Sequence, residues 1–397
     1  MTSTILQPDA VTAQRQHFPA LQNKAYFNYG GQGPMPQEAI AAIQTAHLKM
    51  QEQGPFGMAV NAWIEQLAEE TRRAIAQELN VAPSSISFTE NVSWGCNIPL
   101  WGLDWQAGDH IVLSDCEHPS VIATIQEIGQ RFGVEATTFP LQDTLNGGDP
   151  VERLRAYLRP NTRLVALSHI LWNTGQVLPL KEMVDLCHNF AADRAPVRVL
   201  VDAAQSVGVL PLHLDDLGAD YYAFTGHKWL CGASGFGGLY VHPTALESIR
   251  PTYIGWRGIK QDATGNPAGW KPDGRRFEVA SSDFTLFAAM QEALKLHQAW
   301  GTATDRYTRI CHLSQRLWEQ LQTLPGVHCL RDAPPEAGLV SFTIANKTHG
   351  DVVRSLEAQN IFLRTLRDPD CIRASVHYLT LESEIDQLVA ALRTLLA

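Results

Sequence analysis

Long apolar runs, blocks of like charge and paired cysteines are all missing from this chain of 397 residues. The longest apolar runs are strand-sized, far short of the ~20 residues a helix needs to cross a bilayer, so no membrane partner is expected. No block of like charges stands anywhere, which excludes an acidic or basic tail. Lys and Arg number 31 against 41 Asp and Glu, a formal charge of −10. A nucleic-acid surface needs a dense basic patch, so that partner class is excluded as well. Cys96, Cys116, Cys187, Cys231, Cys311, Cys329 and Cys371 are odd in number and include no Cys-x-x-Cys pair. They read as reduced thiols of a cytosolic protein, neither a disulfide frame nor a metal site. The opening MTSTILQPDAV has no basic stretch followed by an apolar one, so no secretory signal is expected and the reading is cytoplasmic. Internal repeats and low-complexity segments are absent too. What is present is apolar residue: 45% hydrophobic against 18% charged, enough for a large core and too much for disorder.

Between Ser85 and His242, short β-rich runs alternate with helical stretches. Ser85–Thr89, His110–Ser114, Val134–Phe139, Thr162–Ser168, Val197–Val201, Tyr221–Phe224 and Gly237–Val241 read as strands. Several are almost continuously apolar, as strands buried on both faces of a parallel sheet are. Pro119–Phe132 and Lys181–Ala191 read as helices. The pattern predicts a doubly wound α/β domain with a mainly parallel sheet and a ligand outside the strands' carboxyl ends. Ile249–Arg275 holds five glycines, three prolines and two tryptophans without a period, and reads as a long functional loop. Helices follow to about Trp300 and over Arg306–Leu324. Strands at Gly338–Ile344 and Ile361–Thr365 and helices at His349–Gln359 and Ser383–Leu396 complete a smaller α+β domain. The expected division is 25–283 for the large domain, and 1–24 with 284–397 for the small one.

Two segments carry the chemistry. Val199–Ser206 is an apolar strand ending in Asp202, which leaves a carboxylate at the sheet's edge. Tyr222–Trp229 ends in Thr225-Gly226-His227-Lys228, placing a lysine 26 residues after that aspartate. A lysine held partly desolvated at a strand end has a lowered pKa and suits Schiff-base chemistry. An aspartate facing a pyridinium nitrogen keeps the ring an electron sink, and lysine with aspartate in these roles marks a pyridoxal phosphate site. Either residue alone would pass for a helix cap or a solvated side chain. Together, with the glycine-rich Cys231–Gly238 behind them, they do not.

The D-x-A-Q of Asp202–Gln205 and the T-G-H-K of Thr225–Lys228 resemble those of the class V aminotransferases, and within them the cysteine desulfurases and cyst(e)ine C–S lyases. The resemblance covers nearly the whole chain and implies pyridoxal phosphate fold type I. It implies that Lys228 bonds the pyridoxal 5'-phosphate, that Asp202 pairs with the pyridine nitrogen, and that Gln205 reaches the phenolic oxygen. Phe88–Ser93 sits where the family has its first phosphate loop, a strand running into a helix whose free amides favour an anion. Asn91, Val92 (through its backbone) and Ser93 are the candidates there, with Thr225 and His227 completing the cup. Family enzymes draw a further phosphate ligand from the neighbouring subunit; Ser281 fits that position, implying a homodimer with shared sites. His118 would stack on the cofactor ring and handle protons. Where the family has asparagine, this chain has Trp172 with Asn173 beside it, so either residue could reach the cofactor or substrate.

Phe362–Thr365 and Ile372–Ser375 each place an arginine beside a β-like run, and a guanidinium grips a carboxylate with two parallel hydrogen bonds. Arg373 matches the family's α-carboxylate arginine, and Arg364 is a second candidate. In the desulfurases the loop between these arginines is longer and carries a nucleophilic cysteine; here only Thr365–Ile372 intervenes. Its one thiol, Cys371, lies two residues from Arg373 and reads as too constrained to reach a substrate sulfur. The expectation is therefore β-elimination: Lys228 removes the Cα proton, a sulfur leaving group departs, and hydrolysis yields pyruvate and ammonia. Cystine is chemically the better substrate because a persulfide leaves more readily than a thiolate, and the sulfur could serve an iron–sulfur acceptor. A desulfurase or selenocysteine lyase using Cys371, an aminotransferase or epimerase, and a silent binding partner in sulfur transfer are the alternatives.

Overall fold

The computed structural model describes residues 8–190 and 195–396. Parts of two expectations, the start of segment 1–24 and Ala191 at the end of its helix, lie outside the described residues. Helix α1 (Pro8–Arg15) leads to β1 (Ala25–Tyr26) and the long helices α2 (Gln37–Glu52) and α3 (Met58–Leu79). Then come β2 (Ile86–Thr89), α4 (Val92–Gly102), β3 (His110–Ser114), α5 (Pro119–Phe132), β4 (Glu135–Phe139) and α6 (Pro150–Arg155). Strand β5 (Thr162–Ser168), α7 (Leu180–Asn189), β6 (Arg198–Asp202), α8 (Leu214–Leu217), β7 (Tyr221–Thr225) and β8 (Gly237–Val241) follow. A hairpin of β9 (Ile259–Gln261) and β10 (Pro267–Trp270) precedes α9 (Thr285–Trp300) and α10 (Ala303–Leu321). The last stretch is β11 (Val327–Cys329), β12 (Leu339–Ile344), α11 (His349–Glu357), β13 (Ile361–Phe362), β14 (Arg364–Arg367), β15 (Asp370–Ser375) and α12 (Glu382–Leu396).

The main sheet has seven strands in the order β2-β8-β7-β6-β5-β3-β4. Strand β8 runs antiparallel to β2 and β7, and every other pairing is parallel. In β5, Val165 and Leu167 enter one apolar cluster while Leu164 and Ala166 enter the cluster on the opposite face. Burial on both faces is the reason these strands read as unbroken apolar runs rather than alternating ones. A second, antiparallel sheet has the order β11-β12-β15-β14. Its core includes Ala25 and Phe27 from the chain's early segment, and β1 pairs in parallel with β13. The fold-back is held by Arg15, whose guanidinium forms a buried pair with Glu384 at 2.7 Å.

Three expectations need correction. The strand foreseen at Ile361–Thr365 is two strands in different sheets, because Ile361 and Phe362 pair with β1 while Arg364 onward pairs with β15. Period alone does not show that break. The loop foreseen at Ile249–Arg275 contains the β9–β10 hairpin, whose positions are mostly exposed and so leave no alternating pattern. The segment before Ser85, assigned no element, holds α2 and α3; α2 buries only Ala39 and Ala46 among its residues, too weak an apolar stripe to read.

Candidate active site

Asp202 is the last residue of β6 and is 7% exposed. One carboxylate oxygen accepts the Ala204 amide at 2.9 Å, which fixes the side chain in the turn beyond the strand. Lys228 stands three residues beyond β7. Burial lowers its pKa from 10.5 to about 8; Asp202 opposes the shift, and Arg373 and Arg364 add to it. Near neutral pH this amine therefore has an accessible neutral form, the state a nucleophile or base requires.

A cleft joins Asp202 and Lys228 to His118, Trp172, Gln205, Arg364 and Arg373, with Gly30, Ser168, Ile170 and Ala204 on its walls. His118 is the N-cap of α5. Its Nδ1 accepts the Ser120 amide at 3.3 Å and lies 2.8 Å from the Ser120 hydroxyl, so the neutral ring carries its proton on Nε2. Burial lowers the His118 pKa; the Asp202 charge opposes that shift, and the charges of Lys228 and Arg364 add to it. The imidazole meets the Trp172 ring edge-to-face with centroids 5.9 Å apart. Trp172 is thus the residue that reaches the cleft. Asn173 is 3% exposed and turns its side-chain oxygen to the Thr174 amide.

Arg373, on β15, is 1% exposed. One of its terminal nitrogens donates to the Trp172 carbonyl at 2.5 Å. Its Nε and other terminal nitrogen are buried with no hydrogen-bond partner among the described residues. Burial, followed by the charge of Arg364, pushes its pKa down to about 9. Arg364 is exposed and stands directly opposite Arg373 in the β14–β15 register. Two guanidiniums facing each other across the ladder have the chemistry to grip a carboxylate.

Gln205 is more committed than its expected role allows. Its side-chain oxygen accepts the Trp229 indole at 2.9 Å and its nitrogen donates to the Gly30 carbonyl at 3.0 Å. One amide hydrogen remains for a phenolic oxygen.

The phosphate candidates lie outside the cleft that Lys228 lines. Asn91 caps α4 by accepting the Trp94 amide at 2.9 Å, with Val92 and Ser93 in the first turn. Asn91 and Ser93 line an adjoining hollow with Thr252 and Tyr253. Thr225 Oγ1 and His227 Nδ1 lie 2.6 Å apart. Ser281 is exposed and lines a separate hollow beside Thr89, Glu90 and Arg257. A chain of polar contacts links cleft and helix: the Ser120 hydroxyl contacts both His118 and, at 3.2 Å, Ser93.

Sequence reasoning missed Ser168 and Glu117. Ser168 ends β5 as Asp202 ends β6, and that shared edge position was the available signal. Glu117 is 2% exposed. It accepts the Ser114 hydroxyl at 2.5 Å and the Ser168 hydroxyl at 2.8 Å and amide at 3.1 Å. Burial raises its pKa to about 7 against the pull of those hydrogen bonds.

Comparison with known proteins agrees with this geometry. A solved structure of a C-DES mutant with glycine covalently linked to its PLP cofactor aligns with a TM-score of 0.93 and 52% identity, covering 96% of this chain and 98% of the other. The complex of the cystine C–S lyase C-DES with its reaction product cysteine persulfide aligns with a TM-score of 0.92 and 52% identity, covering 95% and 99%. Isopenicillin N epimerase of Streptomyces clavuligerus is 29% identical over 385 residues, 93% of this chain and 94% of that protein. A probable cysteine desulfurase of Methanothermobacter thermautotrophicus is 26% identical over 395 residues, 94% and 95% of the two chains. The model of the class V aminotransferases matches residues 25–388, and the chain belongs to that family.

Proposed function

We propose that the chain is a pyridoxal phosphate-dependent carbon–sulfur lyase that splits L-cystine, and L-cysteine more weakly, by β-elimination. The observation that carries this reading is the β14–β15 hairpin. Arg367 pairs with Asp370, so only Asp368 and Pro369 form the turn between the arginine-bearing strands. Cys371 is a fully buried strand residue, and burial raises its pKa to about 11. A thiol fixed in a ladder and held protonated cannot swing to a substrate sulfur. The route left is elimination: cystine and water give pyruvate, ammonia and cysteine persulfide.

The site's residues fit the cofactor. Lys228 is a desolvated amine, Asp202 a carboxylate at the strand edge, and Arg373 carries unpaired buried donors. Lys228 would bond the cofactor, Asp202 would pair with its ring nitrogen and Gln205 with its phenolic oxygen, and His118 would stack on its ring. Asn91, Val92, Ser93, Thr225 and His227, with Ser281 of the partner subunit, would take its phosphate. When bound, the cofactor supplies an electron sink for the negative charge that develops at Cα. Arg373 turns its free Nε and terminal nitrogen to the substrate carboxylate, which fixes the direction of the Cα–H bond. Lys228 takes the Cα proton at its Nζ. The Trp172 indole N–H, buried without a partner among the described residues, is available to the substrate as well. Homodimer formation is supported by Tyr253, Ile254 and Trp256, exposed at 58%, 60% and 54% beside the hollow that contains Asn91. The released persulfide would pass to a sulfur or iron–sulfur acceptor in the cytoplasm. Among the described residues no helix is long and apolar enough to cross a membrane.

Product analysis with purified holoenzyme tests the reading. Cystine should yield pyruvate, faster than cysteine does. Alanine as the main product would favour desulfuration. Absence of the cofactor's visible absorbance would favour a silent homologue.

A further inference from the structure

The four carbonyls from His227 to Leu230 span the lysine turn, and each meets a hydrogen-bond donor, three of them from distant parts of the chain. The His227 carbonyl accepts the Gly33 amide at 2.8 Å, and the Lys228 carbonyl accepts the Cys231 amide at 3.0 Å. Residue 33 must be glycine here, because a Cβ would stand 2.1 Å from the Lys228 carbonyl oxygen. The Trp229 carbonyl lies 3.1 Å from His377 Nε2, and the Leu230 carbonyl lies 2.8 Å from His297 Nε2.

Burial favours the neutral form of both imidazoles, and their contacts select one tautomer of each. His377 Nδ1 accepts the Leu379 amide at 3.4 Å, so its proton sits on Nε2 and is donated to Trp229. His297 Nδ1 lies 2.8 Å from the Tyr378 hydroxyl, which donates to it while Nε2–H points at Leu230. The two rings are 0% and 2% exposed, and burial lowers the pKa of each. His377 is also stacked on Tyr29, with centroids 4.5 Å apart and 12° between planes. The dipeptide His377–Tyr378 therefore grips the lysine turn twice, once directly and once through His297. It is itself anchored from behind, since Arg309 donates to the Tyr378 carbonyl at 2.8 Å. Arg373 lies four residues before His377 on the same segment.

The geometry points to His377 and His297 as positioning residues that hold Lys228 at a set distance from Arg373. Proton transfer from Cα requires the lysine nitrogen and the carboxylate-anchored substrate to be in register, and one continuous segment, Arg373 to Tyr378, sets both. This inference rests on the role proposed for Lys228. Because the imidazoles hold the turn by its carbonyls, His377 packs on the Trp229 and Tyr29 rings, and neither imidazole lines the cleft, their loss should lower kcat and leave KM nearly unchanged; a misplacement of about 1 Å can cost up to a hundredfold in rate.

The test uses holoenzyme with His377→Phe, which keeps the ring stacked on Tyr29 and removes the donor, and His377→Gln, which returns a donor. His377→Phe should lower kcat on cystine by about tenfold or more with KM within about threefold. It should also shift the pH midpoint of the absorbance of the lysine-bound cofactor, and His377→Gln should restore both towards wild type. Unchanged kcat and midpoint in His377→Phe would overturn the proposal. So would equal kcat losses in both variants accompanied by equal losses of thermal stability, which mark a purely structural role. If His377→Phe does not fold, Tyr378→Phe, which removes the donor to His297 along with a contact to Gln14, takes its place with the same expected split. The absorbance readout needs no substrate. It separates failure of the positioning proposal from failure of the cystine assignment, which would leave the midpoint shift intact.

Discussion

Replacing Arg373 by methionine should make the protein a worse enzyme without making the cofactor-free chain less stable. The side chain is 1% exposed, with two nitrogens buried and unpartnered, and Arg364 is its cross-strand neighbour. Like charges directly opposite each other in a ladder repel, and an unpaired buried charge costs several kcal/mol. Under the proposed function, the free protein bears that cost in order to receive a carboxylate. Arg373→Met fills similar volume, removes the buried charge and gives up one charge-assisted hydrogen bond, to the Trp172 carbonyl, worth about 1.5–3 kcal/mol, no more than the cost of the unpaired charge it removes. Unfolding of the cofactor-free protein in urea should therefore show unchanged or increased stability. Losing a buried charge-assisted pair to the substrate costs about 2–5 kcal/mol, or roughly thirty- to several-thousandfold in kcat/KM for pyruvate release from cystine or cysteine alike. Arg364 is exposed, so Arg364→Ala should cost less, about 0.5–1.5 kcal/mol or roughly two- to tenfold. If it holds the distal carboxylate, that loss should fall on cystine and spare cysteine. Strong destabilisation by Arg373→Met with catalysis intact would refute the receptor reading. Equal losses for both substrates in Arg364→Ala would place both arginines at the inner carboxylate.

Lys228→Ala should abolish the absorbance of lysine-bound cofactor and lower pyruvate release by roughly a thousandfold or more; catalytic turnover in that variant would show the anchor to be misassigned. Cys371→Ser should keep most elimination activity, because no step uses a protein thiol; loss of several orders of magnitude in kcat with folding intact would favour desulfuration. Glu117 titrates near 7 when folded against 4.5 in the free side chain. The folded state therefore binds more protons between those values, and stability should fall as pH rises across that window, by roughly 3 kcal/mol at most. Glu117→Gln should flatten that slope in urea unfolding at pH 5 and pH 7.5; an unchanged slope would assign the titration to another group.

The strand-and-helix alternation from Ile86 to Val241 was legible because strands buried on both faces write themselves as apolar runs, and because each run ends in a polar or glycine-rich turn. The same edge rule placed Asp202 at the end of β6 and Lys228 in the turn three residues beyond β7. Arg373 was legible through its motif, but its vacant donors were not. Those depend on Trp172, 201 residues away, spending one nitrogen and leaving two. That Trp172 rather than Asn173 faces the cleft depends on a turn closed by Thr174 and by Ser341, which donates to the Asn173 carbonyl at 2.6 Å. The burial of Cys371 follows from the hairpin's register, and the grip of His377 and His297 on the lysine turn follows from packing between α9 and the segment after β15. Local sequence determines which residues can do the chemistry, because strand ends and turns are short-range patterns. Tertiary structure decided which donors stay unpaired and which thiols are sealed, because partners drawn from segments up to hundreds of residues apart carry no signal in local spacing.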